Sequence, residues 1–236
     1  MRYAIYFTPA PDTILWRFGS GVLGYDSAAR EAAAFPAHAL WHEPWFERAQ
    51  ATPARYGFHA TLKAPFALAP GAGEDVLLER AASFSSSRAP ICLPALEVAS
   101  LGDFVALRPL AEDAELNRLA AACVGDFDDL RAPLGAEDRA RRLESALTPR
   151  QHRYLEDWGY PYVFEDFRFH MTLTGALPKS LQPRALEVLR TLYHRISGPV
   201  WIDAITILAQ PTRDSRFAVV ERFALRAYAP AVGLGL

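Results

Sequence analysis

Short apolar runs with period-two alternation recur along this chain, separated by longer segments whose apolar residues fall at helical spacing. Residues 2–7, RYAIYF, are aromatic and β-branched and stop at TPAPD, which predicts a strand. YDSAAREAAAF (25–35) offers Asp and Ser as caps ahead of an alanine-rich run and predicts a helix. HATLKAPF (59–66) alternates as a strand whose proline marks an end or an edge. GEDVLLERAASFSSS (73–87) predicts a helix, and ICLPALEVA with FVALRP predicts a hairpin around the turn SLGD. Residues 112–147 are polar, rich in Ala and Arg and helical in period, with a break at RAPLG. TPRQHRYLEDWG (148–159) has Thr at a cap position, Pro in the first turn and Gly at the stop, the signals of a helix. FRFHMTLTGAL predicts a strand, LQPRALEVLRTLYHRI a helix, and VWIDAITILAQ with RFAVVERFAL a pair of strands around PTRDS.

The pattern repeats. Phe-His-x-Thr-Leu is spelled at 58–62 and again at 169–173, an offset of 111 residues. Each copy leads into a helix and then a hairpin, whose turns near Gly102 and Arg213 both lie 43 residues beyond the histidine. That period is far too long for a solenoid. It predicts an α+β fold of two similar lobes, about 1–110 and 148–228, with a helical connection at 111–147 and a C-terminal tail at 229–236. The lobes are expected to fold against each other as one unit.

Alternation along a strand puts His59, Thr61 and Lys63 on one face and Phe58, Ala60 and Leu62 on the other. In the second copy Arg168, His170, Thr172 and Thr174 oppose Phe169, Met171 and Leu173. Each strand thus has an apolar face for a core and a polar face carrying imidazole, hydroxyl and a cation. A lone His-x-Thr on a strand is usually a half-exposed pair. Two copies in matching frames can face each other across a groove, where one neutral imidazole accepts a proton and a protonated one donates. The threonine hydroxyls can donate to phosphoryl oxygens, where charge concentrates during phosphodiester cleavage. This chemistry needs no metal and no cofactor.

Composition narrows the partners. The net charge is −2 and the pI near 6.3, so no broad basic surface for nucleic acid is predicted and an anionic substrate must be held by local groups. Of 25 basic residues only Lys63 and Lys179 are lysines. Lys63 and Arg168 share faces with their histidines and are candidate phosphate contacts, with Tyr56 and Thr174 as further substrate-binding candidates. Trp158, Tyr160 and Tyr162 could offer a stacking surface, although core packing is the commoner use of such a cluster. Cys92 and Cys123 lack the spacing of a redox or zinc motif. No apolar run is long enough to span a bilayer, and no signal-peptide pattern opens the chain, so a cytoplasmic location is expected.

Other motifs carry less. GSGVLG (19–24) satisfies G-x-G-x-x-G but does not leave a strand directly, so a flexible loop at the groove is expected there. His38 and His42 are spaced as a metal pair but are bracketed by Pro36 and Pro44 without a third ligand, which favours a surface turn. His152 and His194 read as solvated helix positions. There is no G-x-S-x-G and no Walker sequence.

The paired motifs His59/Thr61 and His170/Thr172 resemble those of the 2H phosphoesterase superfamily. The stretches RYGFHATLKAPF and LTPRQHRYLEDWGYPYVFEDFRFHMTLTG are similar to a DUF1045-like bacterial branch of unknown function, associated with phosphonate-utilisation operons. The resemblance covers about residues 2–226. It implies a bilobal, pseudo-twofold LigT-like fold with two antiparallel β-sheets lining a central groove and helices outside. It further implies a cyclic phosphodiesterase with His59, His170, Thr61 and Thr172 as catalytic residues. The implied substrate is a small phosphorylated molecule such as a ribose cyclic phosphate. The alternatives are an RNA 2′,3′-cyclic phosphodiesterase or 2′–5′ ligase acting on an RNA end, and a non-catalytic nucleotide-binding module. The near-symmetry leaves open which histidine is base and which is acid.

Overall fold

The structure, a computed structural model, describes residues 1–226; the expected tail at 229–236 lies outside the described residues. Among the described residues the seven expected strand runs give nine strands, two of the runs being split and the one around His170 reduced to two residues: β1 (Arg2–Phe7), β2 (Ala60–Phe66), β3 (Ile91–Leu93), β4 (Leu96–Leu101), β5 (Phe104–Pro109), β6 (Met171–Thr172), β7 (Val200–Ile202), β8 (Ala204–Gln210) and β9 (Ala218–Ala224). The helices are α1 (Ile14–Leu23), α2 (Pro44–Gln50), α3 (Glu74–Ser86), α4 (Ala114–Gly125), α5 (Ala136–Arg142), α6 (Pro149–Trp158) and α7 (Gln182–His194). Helix α6 carries the expected start in full. The Thr148 hydroxyl accepts from the Gln151 amide while the Gln151 side chain accepts from the Thr148 amide.

One expected helix is absent. Residues 25–35 form a tight turn and a bridge between Asp26 and Glu31. The Asp26 carboxylate accepts from the Ala28 and Ala29 amides and from the Trp16 indole, and Arg30 then turns left-handed at φ +63°, so the chain folds back to pair Glu31 with Asp26 instead of continuing as a helix. A short side chain that binds its own following amides competes with helix. The helix instead lies earlier, at α1, where Thr13 caps the Trp16 amide and Gly24 ends the run. The GSGVLG stretch is therefore buried helix and not a flexible loop. His38 and His42 flank a single 3₁₀ turn at Ala39–His42, as expected of a surface turn, although Leu40 and Trp41 within it are buried.

Seven strands form one antiparallel sheet in the order β4-β5-β6-β2-β1-β8-β9, and β3 pairs with β7 in a small second sheet. Mapping β1, β2, β3 and β4 onto β5, β6, β7 and β8 turns the order 4-5-6-2-1-8 into itself read backwards. The sheet is a pseudo-twofold assembly of two β-α-β-α-β-β units, with β9 added at one edge. The last strand of each unit pairs with the first strand of the other: β4 with β5, and β8 with β1. The axis passes between the equivalent residues Ala60 and Met171, which pair across β2 and β6. The repeat thus begins one strand earlier than the sequence frame suggested, and the SLGD turn joins the two units instead of lying within one.

The main core lies on one side of this sheet, with a small separate cluster of Ala4, Tyr6, Leu208 and Phe217. Phe58, Ala60, Leu62, Phe169, Met171 and Leu173 all point into the main core and pack with side chains of α3, α4 and α7. That fixes which way the opposite residues face. Among the described residues no helix is long and apolar enough to cross a membrane.

Candidate active site

The Ala60–Met171 pair sets the geometry of the repeated motif. Extending that antiparallel register by one residue each way puts His59 opposite Thr172 and Thr61 opposite His170, all on the face away from the core. Directly opposed residues have Cβ atoms about 5 Å apart and diagonal ones about 7–8 Å. The two histidines therefore sit at opposite corners of a four-sided site, with the two threonines at the other corners. Each histidine thus faces the other copy's threonine across the strand pair.

Both rings are held by the same local device. His59 Nδ1 is 2.8 Å from the Gly57 carbonyl oxygen, and His170 Nδ1 is 2.8 Å from that of Arg168. With Nδ1–H donating two residues back, each neutral ring presents Nε2 as an acceptor toward the open face. The Thr61 hydroxyl lies 3.3 Å from His59 Nε2 and donates to it. Two glycines make the first frame. Gly57 has φ +71°, and a Cβ there would lie 2.7 Å from the Ser27 hydroxyl. Gly19 in α1 lies against the Phe58 ring, where a Cβ would come within 2.1 Å.

The two environments differ. Tyr6 of β1 pairs with Thr61, and its ring stacks on His59 at 3.8 Å between centroids and 18° between planes. The equivalent partner of Thr172 is Ala106 of β5, which has no ring. His170 instead meets Phe104 at 5.5 Å, tilted by 52°. Burial pushes the His59 imidazole down from 6.5 to about 4, with repulsion from His170 adding to it and the Gly57 carbonyl opposing. Burial lowers His170 as well, opposed by the Arg168 carbonyl. Both rings are neutral at pH 7 in the free protein, and either Nε2 can accept a proton.

The family model described as "Protein of unknown function (DUF1045)" matches residues 61–218. The chain belongs to the DUF1045 family. The matched span includes Thr61, His170 and Thr172 and begins two residues after His59. Two curated relatives are each named "Ribose 1,5-bisphosphate phosphokinase PhnN". The one from Janthinobacterium sp. (strain Marseille) is 37% identical over 231 residues, covering 94% of this chain and 50% of its own length. The one from Laribacter hongkongensis (strain HLHK9) is 37% identical over 210 residues, covering 84% and 47%. The chain therefore spans about half the length of these relatives. Among solved structures, TT0787 of Thermus thermophilus aligns at TM-score 0.46 and 16% identity, covering 97% of this chain and 100% of that one. A structure titled as a phosphoesterase aligns at 0.43 and 13%, covering 96% and 99%.

In this DUF1045 chain His59, Thr61 and Thr172 line a cavity of about 400 Å³ together with Tyr6, Tyr56, Tyr160 and Tyr162. His170 and Arg168 line an adjoining cavity of about 540 Å³, which shares Thr61, Ala64, Tyr160 and Tyr162 with the first. Tyr56 is thus beside His59, its ring 6.3 Å away and stacked on Phe217. Arg168 is exposed and pairs with Glu112 at 3.5 Å, and the neighbouring Asp166 pairs with Arg150. Tyr160 and Tyr162 form cavity wall, which corrects the expectation that they are core.

Two candidates do not reach the site. The strand alternation breaks before Lys63, because the register of β1 against β2 slips between Tyr6–Thr61 and Ile5–Lys63. This bulge leaves Lys63 on the side of Ile5 and the core. Its side chain is 4% exposed, and its ammonium donates to the Val124 carbonyl and pairs with Asp128 at 3.0 Å. Thr174 is fully buried, and its hydroxyl donates to the Gly175 carbonyl while accepting from the Val105 amide. That hydroxyl is spent on the backbone turn after β6. Sequence reading missed Arg2, Tyr6, Arg141 and Arg142, which line the His59 cavity. Their only sequence signal was the dominance of arginine over lysine.

Proposed function

We propose that this chain is a phosphodiesterase that opens a small cyclic phosphodiester by two-histidine acid–base catalysis. The observation that carries this reading is the four-cornered arrangement of His59, Thr172, His170 and Thr61, with each imidazole fixed through Nδ1 so that Nε2 faces outward. A phosphate seated among the four side chains would have an imidazole on two opposite sides, as in-line displacement requires. His59, the more strongly depressed of the two, acts as the base that takes a proton from water. His170 carries the proton delivered to the leaving sugar oxygen, returning to neutral as His59 becomes charged. Thr61 and Thr172 donate to the non-bridging oxygens.

The kinase activity in the relatives' name belongs to proteins about twice as long. An ATP-gripping loop places lysine directly after glycine, whereas Lys63 follows Leu62 and Lys179 follows Pro178 here. The half shared with this chain is therefore assigned the diesterase step, and the ribose phosphate in that name makes a ribose cyclic phosphate the first substrate to try. The test is turnover of ribose 1,2-cyclic phosphate and 2′,3′-cyclic nucleotides in EDTA, beside His59→Ala and His170→Ala. The wild type is expected to open one of them, with each variant slowed at least about 10²-fold. Turnover that survives both substitutions, or that EDTA abolishes, refutes the mechanism.

A further inference from the structure

We infer that the cavity holding His59 contains a second anion subsite, formed by Arg2 and Arg142, that takes the phosphomonoester of a doubly phosphorylated small substrate. The inference rests on the diesterase reading and names the substrate class of the same site.

Three guanidiniums, Arg2, Arg141 and Arg142, line this cavity with a single carboxylate, Asp138. Asp138 is already shared between Arg141 and Arg213, and Arg141 also pairs with Glu137 at 3.5 Å. Arg2 and Arg142 have no carboxylate partner among the described residues. Arg2 donates Nε and one Nη to the neutral Gln210 side chain, which orients its guanidinium without neutralising it. The Arg142 guanidinium carbon sits over the Tyr160 ring, 4.5 Å from its centroid, and its Nε is buried without a hydrogen-bond partner. A stacked, half-buried arginine with an unused buried donor is costly unless something accepts from it.

Two guanidiniums without a salt-bridged carboxylate of their own, in one small cavity, match the charge of a phosphomonoester, which is close to dianionic at pH 7. Burial and the nearby Arg213 both disfavour the Arg2 charge, more than Asp138 supports it, and a bound dianion would offset them. A backbone phosphate of RNA carries one charge, and strand binding calls for a basic track extending along the surface. Here the unpaired cations are confined with Tyr56, Tyr160 and Ser145 in a cavity of about 400 Å³, the size of a small-ligand site. The two ends of that cavity then hold the two ends of one molecule, with the cyclic diester at the His–Thr corners and the monoester at the arginines.

The experiment has a kinetic and a binding arm. The kinetic arm compares kcat/KM for ribose 1,2- and 2,3-cyclic phosphates with and without a phosphate on the primary hydroxyl, in wild type, Arg142→Gln, Arg142→Lys and Arg2→Gln. The phosphate is expected to raise wild-type kcat/KM about 10- to 100-fold. Either glutamine variant should bring the ratio of the two substrates toward one, with Arg142→Lys recovering part of it. The binding arm titrates ribose 5-phosphate and ribose into the same proteins by calorimetry, with melting curves to confirm folding. Ribose 5-phosphate is expected to bind wild type more tightly than ribose, and the glutamine variants to lose that margin. Because binding needs no turnover, a failed diesterase reading leaves this arm intact. Equal wild-type treatment of phosphorylated and unphosphorylated ligands in both arms overturns the subsite. So does a higher kcat/KM for an oligoribonucleotide ending in a 2′,3′-cyclic phosphate than for the phosphorylated sugar.

Discussion

Replacing Gly19 by alanine should damage the site from a distance, through Phe58. Gly19 lies inside α1, where alanine alone would be favoured by about 1 kcal/mol. The new methyl carbon, however, would stand 2.1 Å from two atoms of the Phe58 ring. Phe58 is fully buried and cannot swing into solvent. Overpacking of this kind costs about 1–3 kcal/mol, and an overlap this deep belongs at the upper end, so a net loss of about 2 kcal/mol is expected. For a chain of this length that lowers Tm by roughly 4–8 °C. Gly125, at the end of α4, has open space within 4 Å of where a Cβ would stand and serves as the control, with alanine neutral or stabilising there. Phe58 immediately precedes His59, so displacing it should also lower kcat/KM beyond what the unfolded fraction explains. The double variant Gly19→Ala/Phe58→Leu restores room and should be more stable than the sum of the two single losses predicts. If Gly19→Ala melts with Gly125→Ala, or the double variant is additive, the packing argument fails.

The histidine pair makes two pH predictions. His59 binds its proton near pH 4 when folded against 6.5 when unfolded, so the unfolded chain takes up more protons between these values. Its contribution to stability is whole above 6.5 and is lost as pH falls toward 4; a His59→Gln variant should lose less stability over that window, measured by urea melts, and an unchanged pH slope would count against the buried neutral ring. Both pKa values are depressed, so a bell-shaped kcat/KM profile should peak below about pH 6.5, and a peak above pH 7 would contradict the assignment. Tyr6→Ala gives His59 the partner that His170 already has and should raise its NMR-detected pKa toward the ordinary value; no movement would show that the stacked ring is not what keeps water out. Asp128→Asn strands the Lys63 ammonium in the interior and should cost about 3 kcal/mol by chemical denaturation, whereas a near-neutral result would put Lys63 back among the groove residues.

The repeated pentapeptide was legible because alternation, residue type and spacing agreed twice, and the core-facing half of each motif is buried as the period demands. Helix α6 was legible from its cap, proline and glycine. What sequence could not show follows from groups whose partners lie far along the chain. Asp26 looks like a helix cap until Trp16 is seen to occupy its second oxygen. Lys63 looks like a groove residue until a one-residue bulge turns it toward Val124 and Asp128, 61 and 65 positions away. Arg2 and Arg142, separated by 140 residues, meet in one cavity only after the first strand is laid between β2 and β8. Period-two reasoning also carries no information on register, which is where Tyr6 and Ala106 acquire their meaning.

Register is also what makes a duplicated motif chemically useful. Two identical histidines in identical surroundings would titrate together, and acid–base catalysis needs one of them charged while the other is neutral. The pseudo-twofold axis brings the pair together, but equivalence has to be broken for the roles to separate. In this chain the break lies one strand away from either histidine: β1 presents Tyr6 to Thr61, while β5 presents Ala106 to Thr172 at the equivalent position. Tyr6 covers one face of the His59 ring, and burial holds that imidazole down at about 4, while burial lowers His170 without such a stacked partner. On the proposed mechanism, a proton arriving with an anionic substrate settles on His170 and leaves His59 free to accept. On that proposal the direction of proton flow rests on a tyrosine–alanine difference between two paired strands, with the histidine motifs themselves unchanged.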